Sequence, residues 1–159
     1  MERKYAEFAA TKACELLAID SPSGYTRKAA DWVKEAFSSL GFDAQLTTKG
    51  GVLVNRGGAD EKDALLLEAH TDTLGAMVAE VKANGRLRLT PLGGMRAENA
   101  ETENVRVHTR TGRIIEGTVQ LCNASVHVNG QYGETKRSFD TVEAVLDEDV
   151  KTADETCAL

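Results

Sequence analysis

The segment His70-Thr71-Asp72 has the residue types and spacing that suit metal chemistry. Imidazole is the commonest side-chain metal ligand, and a metal-bound histidine usually donates its other ring N–H to a partner that fixes the ring. Residues two apart in an extended segment point to the same side, so His70 and Asp72 can face one site together. This spacing is compatible with a metal ligand at His70 and an orienting partner at Asp72. The alternative is a polar pair that binds no metal.

A short, mostly aliphatic run, Ala64–Ala69, leads into this pair. Short runs of this kind are typical of strands that are buried on both faces in a parallel sheet. In open α/β sheets, sites form outside the carboxyl ends of such strands. We therefore predict a buried strand over Ala64–Ala69 with His70 at its carboxyl end. Glu68, inside the run, is expected to make a structural hydrogen bond or to assist the site.

The first half of the chain predicts two helices followed by strands. A helix is expected over Glu2–Ala18, because apolar residues recur at helical spacing, and Asp20–Gly24 should end it. A second helix should begin at an N-cap near Thr26 and end before Gly41. Its predicted core face comprises Ala29, Val33, Ala36, Phe37 and Leu40. Strands are predicted at Asp43–Thr48, Gly51–Asn55 and Ala64–Ala69, an order that suits an α/β layer arrangement.

After Gly75 the pattern changes to short alternating segments separated by turns. The predicted strands are Met77–Val81, Arg86–Thr90, Val105–Thr109, Ile114–Leu121 and Thr141–Leu146. Asn84-Gly85 is a strong hairpin signal, and regularly spaced short strands indicate a small antiparallel barrel or sandwich. The pattern therefore predicts the α/β class, with an α/β part over residues 1–75 and a small antiparallel barrel or sandwich over residues 76–159.

Composition narrows the classes of partner. The chain has 159 residues and a net charge of −6, which argues against general binding to nucleic acid or to anionic membranes. No apolar run approaches the length of a membrane span, and the first residues lack the apolar region of a signal peptide. The three cysteines, Cys14, Cys122 and Cys157, are widely spaced and odd in number, so we interpret them as reduced thiols of a cytoplasmic protein.

Other candidate chemical groups are weaker. His108 and His127 could complete a three-histidine zinc site, but each alternates with flanking valines, which favours surface or interface positions. Gly93-Gly94 lacks the ending of a phosphate-binding loop, so a turn is the better interpretation. Cys14 lies off the apolar stripe of its helix and has no assignable base.

Thr152–Glu155 has the sequence of a capping box, which begins a helix, although only four residues follow it. A helix that short is not stable alone in water. The expectation from this pattern is that the natural polypeptide continues past Leu159.

Several motifs occur together in order along the chain: Ile19–Tyr25, Gly51–Val54, Ala69–Gly75, Gly85–Gly94, Val105–Thr109, Gly117–Val119 and Asp147–Leu159. Together they resemble the amino-terminal part of the tetrahedral (TET) glutamyl-aminopeptidase family of dinuclear metallopeptidases, some members of which are labelled endoglucanases. The resemblance extends over nearly the whole chain.

The resemblance implies an enzyme with two divalent metal ions, zinc or cobalt, that acts on peptides and forms homo-oligomers. It implies that His70 is a metal ligand, that Asp72 orients it, and that residues from about Ala76 belong to a β-barrel-like assembly domain. The family commonly has glutamate where this chain has Thr73. Its remaining metal ligands and general-base glutamate lie beyond the barrel domain.

Because a catalytic zinc normally needs about three protein ligands, the 159-residue chain is expected to be a truncated and inactive form of a metalloaminopeptidase. Two alternatives remain open. One is a non-catalytic self-assembly module. The other is a carboxypeptidase- or deacylase-type metallohydrolase, which also uses His-x-Asp at the end of a strand.

Overall fold

The computed structural model describes residues 2–60 and 62–159. The chain divides into two compact units, Met1–Leu74 and Gly75–Leu159. The assignment of these units to a catalytic part and an assembly domain stays a prediction. Within the described residues, no helix combines the length and the apolar composition that crossing a membrane requires.

Within its described residues, the first unit contains two helices and a two-stranded ribbon. Helix α1 spans Arg3–Leu17 and α2 spans Arg27–Ser39. Strands β1, Ala44–Leu46, and β2, Val52–Val54, pair antiparallel. The two predicted helices and the first two predicted strands are confirmed, with shorter strands than expected.

The helices of this unit bury little. Helix α1 has no buried residue, and Tyr5 and Phe8 on its apolar stripe are both about half exposed. Helix α2 buries Ala29 as predicted, whereas Leu40 follows the last helical turn and is exposed. The periodicity therefore predicted the helices correctly, although the apolar stripe of α1 is not buried.

The predicted buried strand over Ala64–Ala69 is wrong. The segment belongs to no strand, and Leu65, Leu66 and Leu67 are 85%, 72% and 80% exposed. A strand that is apolar on both faces needs paired neighbours and covering layers, but β1 and β2 pair with each other instead. Glu68 is also exposed rather than buried.

The predicted parallel sheet is also not formed in the described residues. Their strand ladders are antiparallel. The isolated bridge between Pro22 and Thr73 is parallel.

The second unit is an antiparallel sheet with two short helices. Its elements are β3 Gly75–Val81, β4 Leu87–Leu92, α3 Ala97–Ala100, β5 Asn104–His108, β6 Ile114–Leu121, β7 Val142–Leu146 and α4 Ala153–Cys157. The five strands lie in the order β3-β4-β7-β6-β5, with β3 and β5 at the two ends of that order. The five predicted strands of this half are confirmed.

The core of the second unit lies mainly on β4, β6 and β7. Its buried residues are Leu87, Leu89, Ala97, Ala100, Ile115, Val119, Leu121, Val142, Ala144 and Leu146. Gly117 on β6 faces Leu146 on β7. A Cβ atom at Gly117 would lie 2.4 Å from the carbonyl oxygen of Val145, so only glycine lets these strands approach this closely.

The predicted hairpin at Asn84-Gly85 is confirmed, and helix α4 docks on it. Gly85 has φ +80°, and its N–H donates to the carbonyl of Lys82 at 2.8 Å. The buried hydroxyl of Thr156 donates to the Gly85 carbonyl at 2.7 Å. The predicted capping box between Thr152 and Glu155 is present. Tertiary contact thus stabilises a helix that is too short to be stable alone.

Glu143 on β7 is a charged residue within this sheet, and only 1% of its side chain is exposed. Its Oε2 atom lies 2.5 Å from Lys82 Nζ, and its Oε1 atom lies 2.5 Å from Arg86 Nη1. Burial would raise the pKa of Glu143, but the hydrogen bonds from these two cations outweigh burial and hold the pKa below its usual value. The carboxylate is therefore a charged structural group.

Candidate metal centre

The His-x-Asp segment lies beside the turn that connects α1 to α2. The N–H of Thr73 donates to the carbonyl of Ser21 at 2.8 Å, next to the bridge between Pro22 and Thr73. Within the turn, the N–H of Tyr25 donates to the Pro22 carbonyl at 2.7 Å, and Gly24 has φ +89°. Backbone hydrogen bonds therefore hold the turn and the residues after His70 together.

His70 and Asp72 are in direct contact. His70 Nδ1 lies 2.9 Å from Asp72 Oδ1 and 3.2 Å from the Asp72 carbonyl oxygen. Because both oxygens can only accept, Nδ1 carries the proton, and the neutral ring has its lone pair on Nε2. The His70 side chain is 86% exposed. The predicted facing of these two residues is confirmed, and the imidazole can accept a metal ion from solvent through Nε2.

The second oxygen of the carboxylate is also bound. Ser23 Oγ donates to Asp72 Oδ2 at 2.6 Å. The hydrogen bond from the Ser23 hydroxyl lowers the pKa of Asp72 below its ordinary value, and the hydrogen bond from the His70 N–H lowers it further by a smaller amount. Asp72 is therefore an anion at neutral pH, which is the state that best polarises the imidazole opposite it.

The pair fits a divalent metal as one ligand and its orienting partner. No group of three or more histidine, cysteine, aspartate or glutamate side chains that could hold a metal occurs in residues 2–60 and 62–159. His108, half-buried at the end of β5, and His127, exposed in a turn, therefore complete no such cluster. The three-histidine alternative has no support from these positions.

Ser23 is the contact that sequence reasoning missed. It is 49 residues from Asp72, so no local periodicity relates the two positions. The sequence around Ser23 predicts only a helix break.

Free thiols are present at Cys14, Cys122 and Cys157, all of them exposed.

Solved structures match this fold closely. The TET aminopeptidase from a marine sediment Thaumarchaeota archaeon superimposes with a TM-score of 0.77 at 21% identity, over 94% of this chain and 42% of that chain. The TET1 peptidase of Pyrococcus horikoshii, which assembles into a tetrahedron or a large octahedral shell, gives a TM-score of 0.75 at 20% identity, over 94% and 43%. These likenesses show that the chain has part of the TET aminopeptidase fold.

Sequence relatives are longer than this chain. The YhfE protein of Bacillus subtilis strain 168 is 34% identical over 142 residues, which are 89% of this chain and 41% of YhfE. The glutamyl aminopeptidase of Lactococcus lactis subsp. cremoris strain MG1363 is 31% identical over 101 residues, which are 63% of this chain and 28% of that enzyme. The chain thus spans less than half the length of these relatives.

The family profile of M42 glutamyl aminopeptidases matches residues 50–159. That match covers more than half of the chain and includes the His-x-Asp segment. The resemblance noted from the motifs is thereby confirmed, and the chain belongs to the M42 glutamyl aminopeptidase family.

Proposed function

We propose that this chain contributes one corner of the active site of a metal-dependent aminopeptidase, which removes amino-terminal residues from peptides. His70 is a ligand of one of two divalent ions, zinc or cobalt, and Asp72 orients its ring. The observation that carries the proposal is the 2.9 Å contact between His70 Nδ1 and Asp72 Oδ1. Membership of an aminopeptidase family supports it.

When bound, a pair of divalent ions polarises the scissile carbonyl and activates water. In this chain, Asp72 sets the tautomer and orientation of the His70 ring. Asp72 accepts a hydrogen bond from the Nδ1–H group of His70, which selects the tautomer with a free lone pair on Nε2 and raises the basicity of that nitrogen. The exposed side chain keeps Nε2 open to solvent.

Zinc binding tests the role of His70. Equilibrium dialysis of the 159-residue chain against zinc, with metal analysis, should show weaker retention by His70→Ala than by the unsubstituted chain. His127→Ala is the matched control, because it removes another exposed histidine. Equal zinc retention by the two variants would contradict the role of His70.

A hydrolysis assay of the 159-residue chain tests whether His70 and Asp72 are sufficient for catalysis. We expect no metal-dependent hydrolysis of aminoacyl-arylamides by the 159-residue chain, because one ligand and its partner do not complete a two-metal site. Metal-dependent cleavage that is lost in His70→Ala would refute this expectation of inactivity. Cleavage of N-acyl amino acids instead would favour the carboxypeptidase or deacylase alternative.

We further propose that the chain self-associates, with the second unit as a β-barrel-like assembly domain, in a cytoplasmic protein. Support comes from the edge strand β3, on which Met77 is 57% exposed, and from the exposed leucines 65–67. Unpaired edges and apolar patches promote association. Light scattering at micromolar concentration should give a dimer or a larger species, and a monomer of 17.1 kDa would contradict the proposal.

A further inference from the structure

We propose that Ser23 is a positioning residue of the metal centre. Its hydroxyl fixes the rotation of the Asp72 carboxylate, so that Oδ1 faces His70 Nδ1. This inference rests on the proposed function, in which His70 is the ligand. It adds to the site a residue from the turn between α1 and α2, which the His-x-Asp motif does not include.

The two carboxylate oxygens have separate partners. Ser23 Oγ lies 2.6 Å from Asp72 Oδ2, a distance typical of a charge-assisted O–H···O⁻ bond. His70 Nδ1 lies 2.9 Å from Oδ1. The hydroxyl of Ser23 and the ring N–H of His70 thus hold the carboxylate from its two oxygens. Rotation of the carboxylate would break at least one of the two bonds.

Backbone hydrogen bonds place Ser23 within reach of Asp72. Ser23 follows Pro22, Asp72 precedes Thr73, and Pro22 is bridged to Thr73. The Thr73 N–H to Ser21 carbonyl bond holds the same two segments together. Since these contacts use main-chain atoms, Ser23→Ala should remove the hydroxyl and leave the backbone bridge in place.

Loss of the hydroxyl should release the carboxylate. The Asp72 side chain is 39% exposed, so water would compete for Oδ2 and the carboxylate would sample other rotations. The Nδ1–H tautomer of His70 would then lose part of its advantage over the Nε2–H tautomer. Only the Nδ1–H tautomer has the free Nε2 lone pair that a metal ion needs.

The test is ¹⁵N NMR of the His70 ring in the 159-residue chain without metal, at about pH 8.5, where free imidazole is neutral. Ser23→Ala should lower the ratio of Nδ1–H to Nε2–H tautomer by about 2- to 10-fold, the range that one net hydrogen bond supports. Ser23→Thr, which keeps the hydroxyl, should restore the ratio. Ser23→Cys, which keeps similar size with a weak donor, should behave like Ser23→Ala.

Ser21→Ala is the matched control. Ser21 is adjacent in the same turn and 1% exposed, and its hydroxyl has no hydrogen-bond partner within the part of the chain that the structure describes. Its loss should leave the His70 tautomer ratio unchanged. An unchanged ratio in both Ser23→Ala and Ser23→Cys, or a fall in Ser21→Ala as large as in Ser23→Ala, would overturn the inference. Because no metal is added, this result is independent of zinc binding by His70.

Discussion

Replacement of Glu143 by glutamine should strongly destabilise the second unit. The Glu143 carboxylate is 1% exposed and lies 2.5 Å from both Lys82 Nζ and Arg86 Nη1. Glutamine keeps the shape and one carbonyl acceptor. Its NH₂ group, however, would face a cationic donor, so one ion pair is lost and the other becomes a bond to a neutral acceptor.

The expected magnitude follows from these two contacts. A hydrogen bond to a charged group contributes about 1.5–3 kcal/mol, and a neutral one contributes about 0.5–1.5 kcal/mol. Loss of one bond and weakening of the other therefore amount to about 2–4 kcal/mol. The amide avoids the desolvation cost of a buried carboxylate, which offsets part of this loss. We expect Glu143→Gln to lower the free energy of unfolding by about 2 kcal/mol.

Glu80→Gln is the control, because it breaks a Glu–Arg pair in the same sheet at the surface. Arg88 Nε lies 2.8 Å from Glu80 Oε2, with the two side chains 44% and 54% exposed. Exposed pairs contribute roughly 0–1 kcal/mol, so this variant should change stability by less than about 0.5 kcal/mol.

Urea unfolding should be followed through backbone amide resonances of β6 and β7, because Trp32, the single tryptophan, lies in the first unit and reports on that unit. Equal losses of unfolding free energy in Glu143→Gln and Glu80→Gln would refute the reasoning. A more stable Glu143→Gln variant would do the same, because the pair would then cost more in desolvation than it contributes.

Two further predictions concern the same sheet. The folded-state pKa of Glu143 is depressed, so the carboxylate stabilises the fold above the ordinary glutamate pKa of about 4.3, and this stabilisation is lost as pH falls through the folded-state value. The difference in unfolding free energy between the unsubstituted chain and Glu143→Gln should therefore narrow during acid titration below about pH 4. Gly117→Ala should cost about 1–3 kcal/mol in urea unfolding, because its Cβ would meet the Val145 carbonyl oxygen at 2.4 Å. Gly94→Ala, which has open space and no positive φ, should be nearly neutral, and equal effects in the two glycine variants would contradict the role given to Gly117.

Local patterns predicted the second unit well. Alternation and turn residues gave β6 at its exact bounds, and Asn84-Gly85 gave the β3–β4 hairpin. The period of two placed Val142, Ala144 and Leu146 together in the core. The same period gives no reason for the burial of Glu143, because its stabilising cations come from residues 57 and 61 positions away.

The first unit shows where such patterns are insufficient. The aliphatic run Ala64–Ala69 has the composition of a buried strand, but a strand also needs a neighbour for its backbone, which no local pattern specifies. The contact of His70 with Asp72 was predictable because the two residues are only two positions apart in the sequence. The contact of Ser23 with Asp72 was not, because a backbone bridge between distant segments creates it.

Our central proposal is that His70 is a metal ligand and that Asp72 orients its ring. The chain has three histidines, His70, His108 and His127, so their ring signals can be followed together in one NMR titration with zinc. We predict that His70 responds at about 10-fold lower zinc concentration than His127, and that Asp72→Asn removes this difference, since partners of metal-bound histidines contribute about 10–100-fold in affinity. Equal responses of His70 and His127, both exposed, would contradict the claim.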